Sequence, residues 1–197
     1  MEPRVFVIND NRDFLGMLTS IFNPVNLPIK SYSDSQEFLD NYPQSATGCI
    51  LLDVSMPLMS GIELQAKLLE LDSLLSIIFI TKHSDVSIAV KAIKMGAVDF
   101  FELPFNNHQL VESVLKGVRI SNNNLKLQQK KNNKKQKLEL LTKRETEVFQ
   151  LLVKGLKNKE MSELLSLKVR TIESHRGNIV NKLNVSNLAG LIEIDTA

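Results

Sequence analysis

The stretch that decides the fold is residues 48–61, GCILLDVSMPLMSG. Its first five residues form a short apolar run, which is typical of a strand covered on both faces of a sheet. Asp53 follows this run directly. Apolar residues then recur at helical spacing: Ile62, Leu64, Leu68 and Leu71. The stretch therefore predicts a strand that ends at a carboxylate and leads into a helix.

The same alternation extends in both directions through residues 1–120. Further short apolar runs predict four more strands: Val5–Ile8, Ile29–Tyr32, Ile77–Thr81 and Val98–Phe101. The run at 29–32 is the weakest of them and is expected near a sheet edge. Amphipathic stretches between the runs predict helices. Five strands alternating with five helices predict an α/β doubly wound parallel sheet with right-handed crossovers.

Bulk properties suit two modest domains. The 197 residues are 43% apolar and 23% charged, as in ordinary globular proteins. No apolar run approaches the roughly 20 residues that span a bilayer, so no membrane contact is expected. The N-terminus lacks the pattern of a signal peptide, and the single Cys49 is expected to be a small core residue in a reducing cytoplasm.

Charge and composition change after Arg119. Residues 1–120 carry 9 Lys/Arg and 14 Asp/Glu, whereas residues 121–197 carry 15 and 8. Residues 121–137 are polar and rich in Lys, Asn and Gln, which predicts a linker, either solvated coil or a helical extension of the preceding helix. We therefore predict domains at 1–120 and 138–197, of which the basic second one meets a polyanion.

Residues 138–197 predict a small all-α domain of four helices. Thr142 and Glu145 fit a capping box at the start of the first helix, and Gly155 follows its end. Asn158 and Ser186 are predicted to cap the second and the last helix. The third helix, at 169–183, carries Ile172, His175, Ile179 and Leu183 on one face. A tight turn before this helix favours a helix-turn-helix.

Two carboxylates are expected at one edge of the predicted sheet. Asp10 follows the first strand and Asp53 the third, and Thr81 ends the fourth. In open parallel sheets, ligands bind beyond the carboxyl ends of strands at the topological switch point. Carboxylate oxygens suit Mg²⁺, and an aspartate beside Mg²⁺ could accept a phosphoryl group. The alternative is that both carboxylates only cap strand ends.

The first domain resembles the receiver domains of two-component response regulators. Residues 53–61 resemble the pattern D-x-x-M-P-x-M-x-G, and ITKHSDV at 80–86 with GAVDFF at 96–101 resembles the FixJ branch in particular. The resemblance covers residues 4–119 and implies the strand order 2-1-3-4-5 for the doubly wound sheet. It implies phosphorylation at Asp53, a Mg²⁺ shell completed by Asp10 and the carbonyl oxygen of Ser55, and a switch pair formed by Thr81 and Phe100.

Two positions depart from the receiver pattern. Asn9 stands where the family usually has the first of two acidic residues, which weakens the expected Mg²⁺ site. Leu103 stands where the family usually has a Lys, so a charge-assisted contact to the phosphoryl group is lost. Our hypothesis is that Lys82 partly replaces that cation. The alternative is a solvated lysine on a loop.

The second domain resembles LuxR-type helix-turn-helix domains over about residues 138–193. The matching segments are LTKRETEV at 141–148, GLKNKE at 155–160 and TIESHR at 171–176. The resemblance implies that the third helix reads DNA in the major groove. The residues that we expect near base edges are Glu173, Ser174 and Arg176. Those that we expect at phosphates are Asn158, Lys159, Arg170, Thr171 and Lys182.

Two features of the expected reading helix are open. Gly177 either lets the backbone approach DNA or is merely tolerated inside the helix. Lys168 occupies the expected N-cap, where Ser or Thr is usual, and this weakens the helix start by about 1 kcal/mol.

The leading functional hypothesis is a DNA-binding transcriptional regulator that is not an enzyme. A histidine kinase would phosphorylate Asp53 with Mg²⁺ as cofactor, and the active form would be a homodimer on double-stranded DNA, with RNA polymerase as a further candidate partner. The first alternative is a phosphorylation-independent dimerisation module on a DNA-binding regulator. The remote alternative is a Mg²⁺-dependent phosphohydrolase, which would leave the helix-turn-helix unexplained.

Overall fold

The computed structural model describes residues 4–9, 11–42, 44–82 and 85–196. The chain divides between Leu125 and Lys126 into two compact units.

The first unit contains one parallel sheet. Its strands are β1 (Arg4–Ile8), β2 (Ile29–Tyr32), β3 (Gly48–Leu52), β4 (Ser76–Thr81) and β5 (Asp99–Glu102). They lie in the order β2-β1-β3-β4-β5, and every neighbouring pair is parallel. The doubly wound sheet predicted from the sequence is confirmed, and β2 is an edge strand as expected. Three predicted starts differ by one residue: β1 begins at Arg4, β4 at Ser76, which pairs with Cys49, and β5 at Asp99, which pairs with Ile78.

Helices cover both faces of this sheet. They are α1 (Arg12–Phe22), α2 (Ser35–Asn41), α3 (Gly61–Glu70), α4 (Val86–Lys94) and α5 (Asn107–Glu139). Buried residues of α1 and α5 pack in one core cluster, and those of α2, α3 and α4 pack in the other. Because β3 and β4 are covered on both sides, every residue in them is buried. Cys49 lies in this core, and burial raises the pKa of its thiol to about 12.

The second unit is helical. It contains the end of α5 together with α6 (Lys143–Val153), α7 (Asn158–Leu165), α8 (Val169–Leu183) and α9 (Leu188–Thr196). Buried residues from α6, α7, α8 and α9 form one core, which includes Val148, Met161, Ile172, Ile179 and Leu191. The turn between α7 and α8 is tight because Ser166 adopts a left-handed conformation with φ 52°. The predicted helix-turn-helix is confirmed.

Two predicted helix caps are wrong. Asn158 is the first residue of α7, and Glu160 accepts the backbone N–H of Lys157 at 2.6 Å instead. At α9 the cap is Asn187 rather than Ser186, since its side-chain oxygen accepts from the N–H of Gly190 at 3.0 Å. The capping box of Thr142 and Glu145 is confirmed, and Lys168 precedes α8 without a side-chain capping bond.

The polar segment after Arg119 is helical. α5 continues through it to Glu139, so the helical alternative holds and the coil does not. Leu138 packs against the core of the second unit.

Candidate functional site

A crevice of about 240 Å³ lies at the carboxyl ends of β1, β3 and β4. Asp53 follows β3 and Thr81 ends β4, so the parallel topology brings both to this edge. The residues that line it are Asn9, Asn11, Phe14, Asp53, Ser55, Ile80, Thr81, Lys82 and Leu103. Five of the predicted site residues therefore meet in one cavity. Asp10, the predicted metal ligand, lies outside the described residues.

The loop around Asp53 has a defined geometry. One carboxylate oxygen of Asp53 accepts the backbone N–H of Ser55 at 3.1 Å, and the N–H of Gly61 donates to the carbonyl of Val54 at 3.0 Å. A Cβ on Gly61 would lie only 2.2 Å from the carbonyl oxygen of Asp53 and 2.9 Å from the ring of Phe79. The glycine therefore allows the start of α3 to pack directly under the loop that carries Asp53.

Asparagines organise the loop after β1. The side-chain oxygen of Asn9 accepts the N–H of Asn11 at 2.8 Å. The side-chain oxygen of Asn11 caps α1 by accepting the N–H groups of Asp13 at 2.9 Å and Phe14 at 3.1 Å. The oxygen that Asn9 would offer to a metal thus already accepts one hydrogen bond.

The crevice has a polar side and an apolar side. Asp53, Ser55 and the asparagines supply oxygen atoms, whereas Phe14 and Leu103 are half-buried and pack against the apolar cluster beneath. Within the described part of the chain, Lys82 is the one cationic side chain that lines the crevice, and it is exposed. Any anion bound here would therefore depend on Lys82 for side-chain charge.

The predicted switch residues lie on adjacent strands. Thr81 is buried at the crevice, where it is 2% exposed. Phe100 on β5 lies opposite Phe79 of β4, with ring centroids 5.9 Å apart, and is half-buried. Phe100 is not among the described residues that line the crevice.

The outward face of α8 carries the predicted base-reading residues, of which Glu173 and Ser174 are exposed and Arg176 is half-buried. Ile172, Ile179 and Leu183 are buried and His175 is half-buried, as predicted for the inward face. The opposite surface exposes Arg170, Glu173, Ser174 and Gly177, and Lys159 is exposed at the start of α7. Thr171 is half-buried. A Cβ on Gly177 would meet no atom within 4 Å, so nothing inside the protein requires a glycine there.

Three predicted DNA contacts form a side-chain network. The guanidinium of Arg176 donates to the side-chain oxygen of Asn158, and the amide nitrogen of Asn158 donates to the carboxylate of Glu173 at 3.5 Å. Asn158 therefore joins α7 to the reading face of α8. Sequence reasoning placed these three residues on one surface but did not anticipate that they bond to each other.

Lys182 is engaged within the second unit. Its ammonium donates to a carboxylate oxygen of Glu145 at 2.7 Å, and the side chain of Glu145 is 4% exposed. The same carboxylate accepts the N–H of Thr142 at 2.8 Å. The Lys182 hydrogen bond, followed by that of Thr142, lowers the pKa of Glu145 to about 2. Lys182 as a phosphate contact stays a prediction, and any such contact would compete with this ion pair.

Comparison with known proteins identifies both units. The family model of the response regulator receiver domain matches residues 5–115, and that of bacterial regulatory proteins of the luxR family matches residues 139–194. The response regulator protein TmoT of Ectopseudomonas mendocina is 36% identical over 198 residues, covering 98% of this chain and 88% of its own.

The chain belongs to the response regulators.

Solved structures agree with this assignment. The response regulator StyR has a TM-score of 0.87 at 32% identity, covering 100% of this chain and 99% of its own. Full-length FixJ from B. japonicum has a TM-score of 0.60 at 30% identity, covering 100% and 97%. This response regulator is thus a receiver domain followed by a LuxR-type DNA-binding domain, and it is a transcriptional regulator.

The described residues contain neither a cluster of metal-binding side chains nor a membrane-spanning helix. Across 4–9, 11–42, 44–82 and 85–196, no group of three or more His, Cys, Asp or Glu residues could hold a metal ion. No described helix is both long enough and apolar enough to cross a membrane.

Sequence reasoning missed several residues of this response regulator that shape the two sites. Asn11 and Phe14 line the crevice, and Asn11 directly follows Asn9 and Asp10, the two positions considered as metal ligands from the sequence. The pairing of Glu145 with Lys182 spans 37 residues and has no local pattern. The position of Glu145 at the third residue of a capped helix predicts its role in the capping box, but it does not predict the pairing with Lys182.

Proposed function

We propose that a histidine kinase phosphorylates Asp53 of this regulator and that the phosphorylated receiver controls binding of α8 to double-stranded DNA. The observation that carries the proposal is the crevice itself, which Asp53, Thr81 and Lys82 line together at the carboxyl ends of the strands. A receiver domain implies a kinase partner, and a LuxR-type domain implies DNA.

The donor set of the crevice fits Mg²⁺. Asp53 and Ser55 offer oxygen atoms, which hard divalent cations prefer. We propose that Asp10, Asp53 and the carbonyl oxygen of Ser55 would hold the ion, with Asn9 as a weaker neighbour. When bound, Mg²⁺ would neutralise charge on the transferring phosphoryl group.

Transfer would convert one carboxylate oxygen of Asp53 into an acyl phosphate. The oxygen attacks the phosphorus, the nitrogen–phosphorus bond of phosphohistidine breaks, and the bond electrons return to the imidazole. The hydroxyl of Thr81 would donate to a phosphoryl oxygen, and Phe100 would repack with it. Lys82 would supply the charge that Leu103 cannot, since leucine has no cation.

On DNA, α8 would read the major groove. We propose that Arg176 pairs with guanine, that Glu173 accepts from the amino group of cytosine, and that Ser174 is permissive. Lys159, Arg170 and Thr171 would contact phosphates. The active form would be a homodimer in the cytoplasm, with RNA polymerase as a further partner. Each chain would consist of a receiver at 1–120, a linker at 121–137 and a DNA-binding domain at 138–197.

A second candidate function keeps DNA binding without the phosphate. Two observations favour it: the oxygen of Asn9 is engaged with Asn11, and Leu103 makes one wall of the crevice apolar. In this case the receiver would act as a dimerisation module, and DNA binding would depend on protein level or on a partner.

Intact-mass measurement separates these candidates. The protein is incubated with Mg²⁺ and acetyl phosphate, with Asp53→Asn as the control. One phosphoryl group on the wild type and none on the control is the expected result. No adduct at any time would overturn the phosphorylation proposal in favour of the second candidate. Steady turnover of a phosphate ester in a separate assay would instead revive a phosphohydrolase.

A further inference from the structure

The last part of α5 carries an unbalanced run of lysines. Between Ser113 and Leu138 the chain has eight Lys or Arg residues and no Asp or Glu. Six of these lysines belong to the second unit and are named here the tail lysines: Lys126, Lys130, Lys131, Lys134, Lys135 and Lys137. Such a density of one charge has to be balanced by solvent ions or by a polyanion.

The tail of α5 is fixed to the second unit at its centre. The ammonium of Lys134 pairs with the carboxylate of Asp195 at 3.6 Å and also donates to the backbone carbonyl of Asp195, near the C-terminus of α9. Leu138, one turn later, packs against the core. A groove of about 460 Å³ between the tail and α9 includes Val185, which follows α8. The tail is therefore held in the same unit as the base-reading helix.

The other five tail lysines remain exposed on either side of this anchor. At about 100° per residue, Lys126, Lys130 and Lys137 fall on one flank of Lys134, and Lys131 and Lys135 fall on the other. All five are exposed, and none forms an ion pair with an acidic side chain of the described part of the chain. Each flank thus presents a row of lysines whose positive charge is not neutralised by an acidic side chain of the described residues.

We propose that one flank of the tail lysines is a second DNA-contacting surface, which binds the phosphate backbone next to the site read by α8. The inference rests on the proposed DNA binding and extends it beyond the helix-turn-helix. Because the helix is already formed and anchored, its lysines lose little backbone freedom on binding. Contacts to phosphate raise affinity and set register but carry no sequence information.

The composition of the tail favours nucleic acid over a lipid surface. A helix that lies on a membrane needs an apolar face opposite its basic one. Here the positions opposite Lys134 are the amides Gln128, Asn132 and Gln136. DNA needs only the charge, and α8, the helix proposed to read DNA, belongs to the same unit as the tail lysines.

The salt dependence of DNA binding tests this surface on the full-length protein. Two variants remove one flank each, K126Q/K130Q/K137Q and K131Q/K135Q, and glutamine preserves helix propensity. The charge-matched control is K67Q/K91Q/K94Q, which removes three exposed lysines of the first unit. Dissociation constants are measured against salt for a mixed-sequence duplex several turns long and for a duplex that the wild type selects from a random pool. Circular dichroism checks that the helices persist.

We expect one flank variant, and only one, to lower the slope of log K against log salt by about 0.9 per lysine. For the three-lysine flank this is about 2.7, so a fourfold rise in salt weakens the wild type about 40-fold more than the variant. The preference for the selected duplex over the mixed one is expected to stay unchanged.

Several results would overturn the inference: unchanged slopes in both flank variants, an equal loss in the control, or lost binding to phosphatidylserine vesicles with DNA slopes intact. Failure of the proposed function looks different. In that case the wild type would show no duplex preference at all, and Arg176→Ala would have no preference to remove.

Discussion

Replacing Glu145 by glutamine should lower the free energy of unfolding of the second unit by about 1–2 kcal/mol near neutral pH. Glutamine keeps an oxygen that can accept the N–H of Thr142, so the substitution removes mainly the charge facing Lys182. A drop in the pKa of Glu145 from 4.5 to about 2 corresponds to roughly 3 kcal/mol at about 1.4 kcal/mol per pH unit. Because the side chain of Lys182 is 38% exposed, water screens the pair and reduces the expected value.

The effect should depend on pH in a defined direction. The pKa of Glu145 is lower in the folded state than its ordinary value of 4.5. The carboxylate therefore stabilises the fold fully above about pH 5, and this contribution disappears as the pH falls toward 2. The difference between the wild type and Glu145→Gln should shrink over the same interval.

Urea unfolding at a series of pH values measures this difference, with the signal of the helical second unit resolved from that of the sheet. The matched control is Glu147→Gln, since Glu147 is exposed and pairs with Arg144 on the surface of the same helix. That variant should change stability by less than about 0.5 kcal/mol. A double-mutant cycle with Lys182→Gln isolates the coupling between the two partners.

Equal effects of Glu145→Gln and Glu147→Gln at neutral pH would contradict a stabilising pair of Glu145 with Lys182. So would a loss of stability in Glu145→Gln that stays constant from pH 7 down to pH 3. In either case the buried carboxylate would act through its capping bonds alone.

Three further predictions concern glycines and the apolar wall of the crevice. Gly61→Ala should destabilise the first unit by about 1–3 kcal/mol and impair labelling of Asp53, because the new Cβ would lie 2.2 Å from the Asp53 carbonyl oxygen; Gly16→Ala in α1, where a Cβ meets no atom within 4 Å, is the control and should be neutral or stabilising in urea unfolding. Gly177→Ala should stabilise the second unit by about 0.5–1 kcal/mol, and in the same variant a large loss of DNA affinity would favour close backbone approach over mere tolerance. Leu103→Lys should speed labelling of Asp53 by acetyl phosphate by roughly 10- to 150-fold, since it adds a charge-assisted hydrogen bond of about 1.5–3 kcal/mol at about 1.4 kcal/mol per factor of ten; an unchanged rate in time-resolved mass measurements would contradict the importance of the missing cation.

Elements with strong local patterns were predictable from the sequence. The buried strands β3 and β4 are short apolar runs between polar residues, and the periodic helices follow from their spacing. The helix caps at Asn158 and Ser186 were not, because several neighbouring polar side chains could cap each helix and packing decides among them. The helical state of the Lys-rich segment also depends on tertiary contacts, namely Lys134 with Asp195 and Leu138 with the core.

The candidate sites show the same difference between what the sequence predicts and what side-chain packing decides. Topology alone brings Asp53 and Thr81 to one edge, so their proximity could be predicted once the strand order was expected. The pairing of Glu145 with Lys182 and the network of Asn158 with Arg176 join side chains that are far apart in sequence. Side-chain geometry between helices sets these contacts, and no periodic pattern in one sequence encodes it.

DNA affinity as a function of Asp53 phosphorylation tests the central claim most directly. The wild type and Asp53→Asn are incubated with Mg²⁺, with and without acetyl phosphate, and each is titrated with the duplex that the wild type selects. We expect tighter DNA binding of the wild type only when intact mass confirms one phosphoryl group, and no response of Asp53→Asn to the donor. Equal affinities of the phosphorylated and unmodified wild type would contradict it.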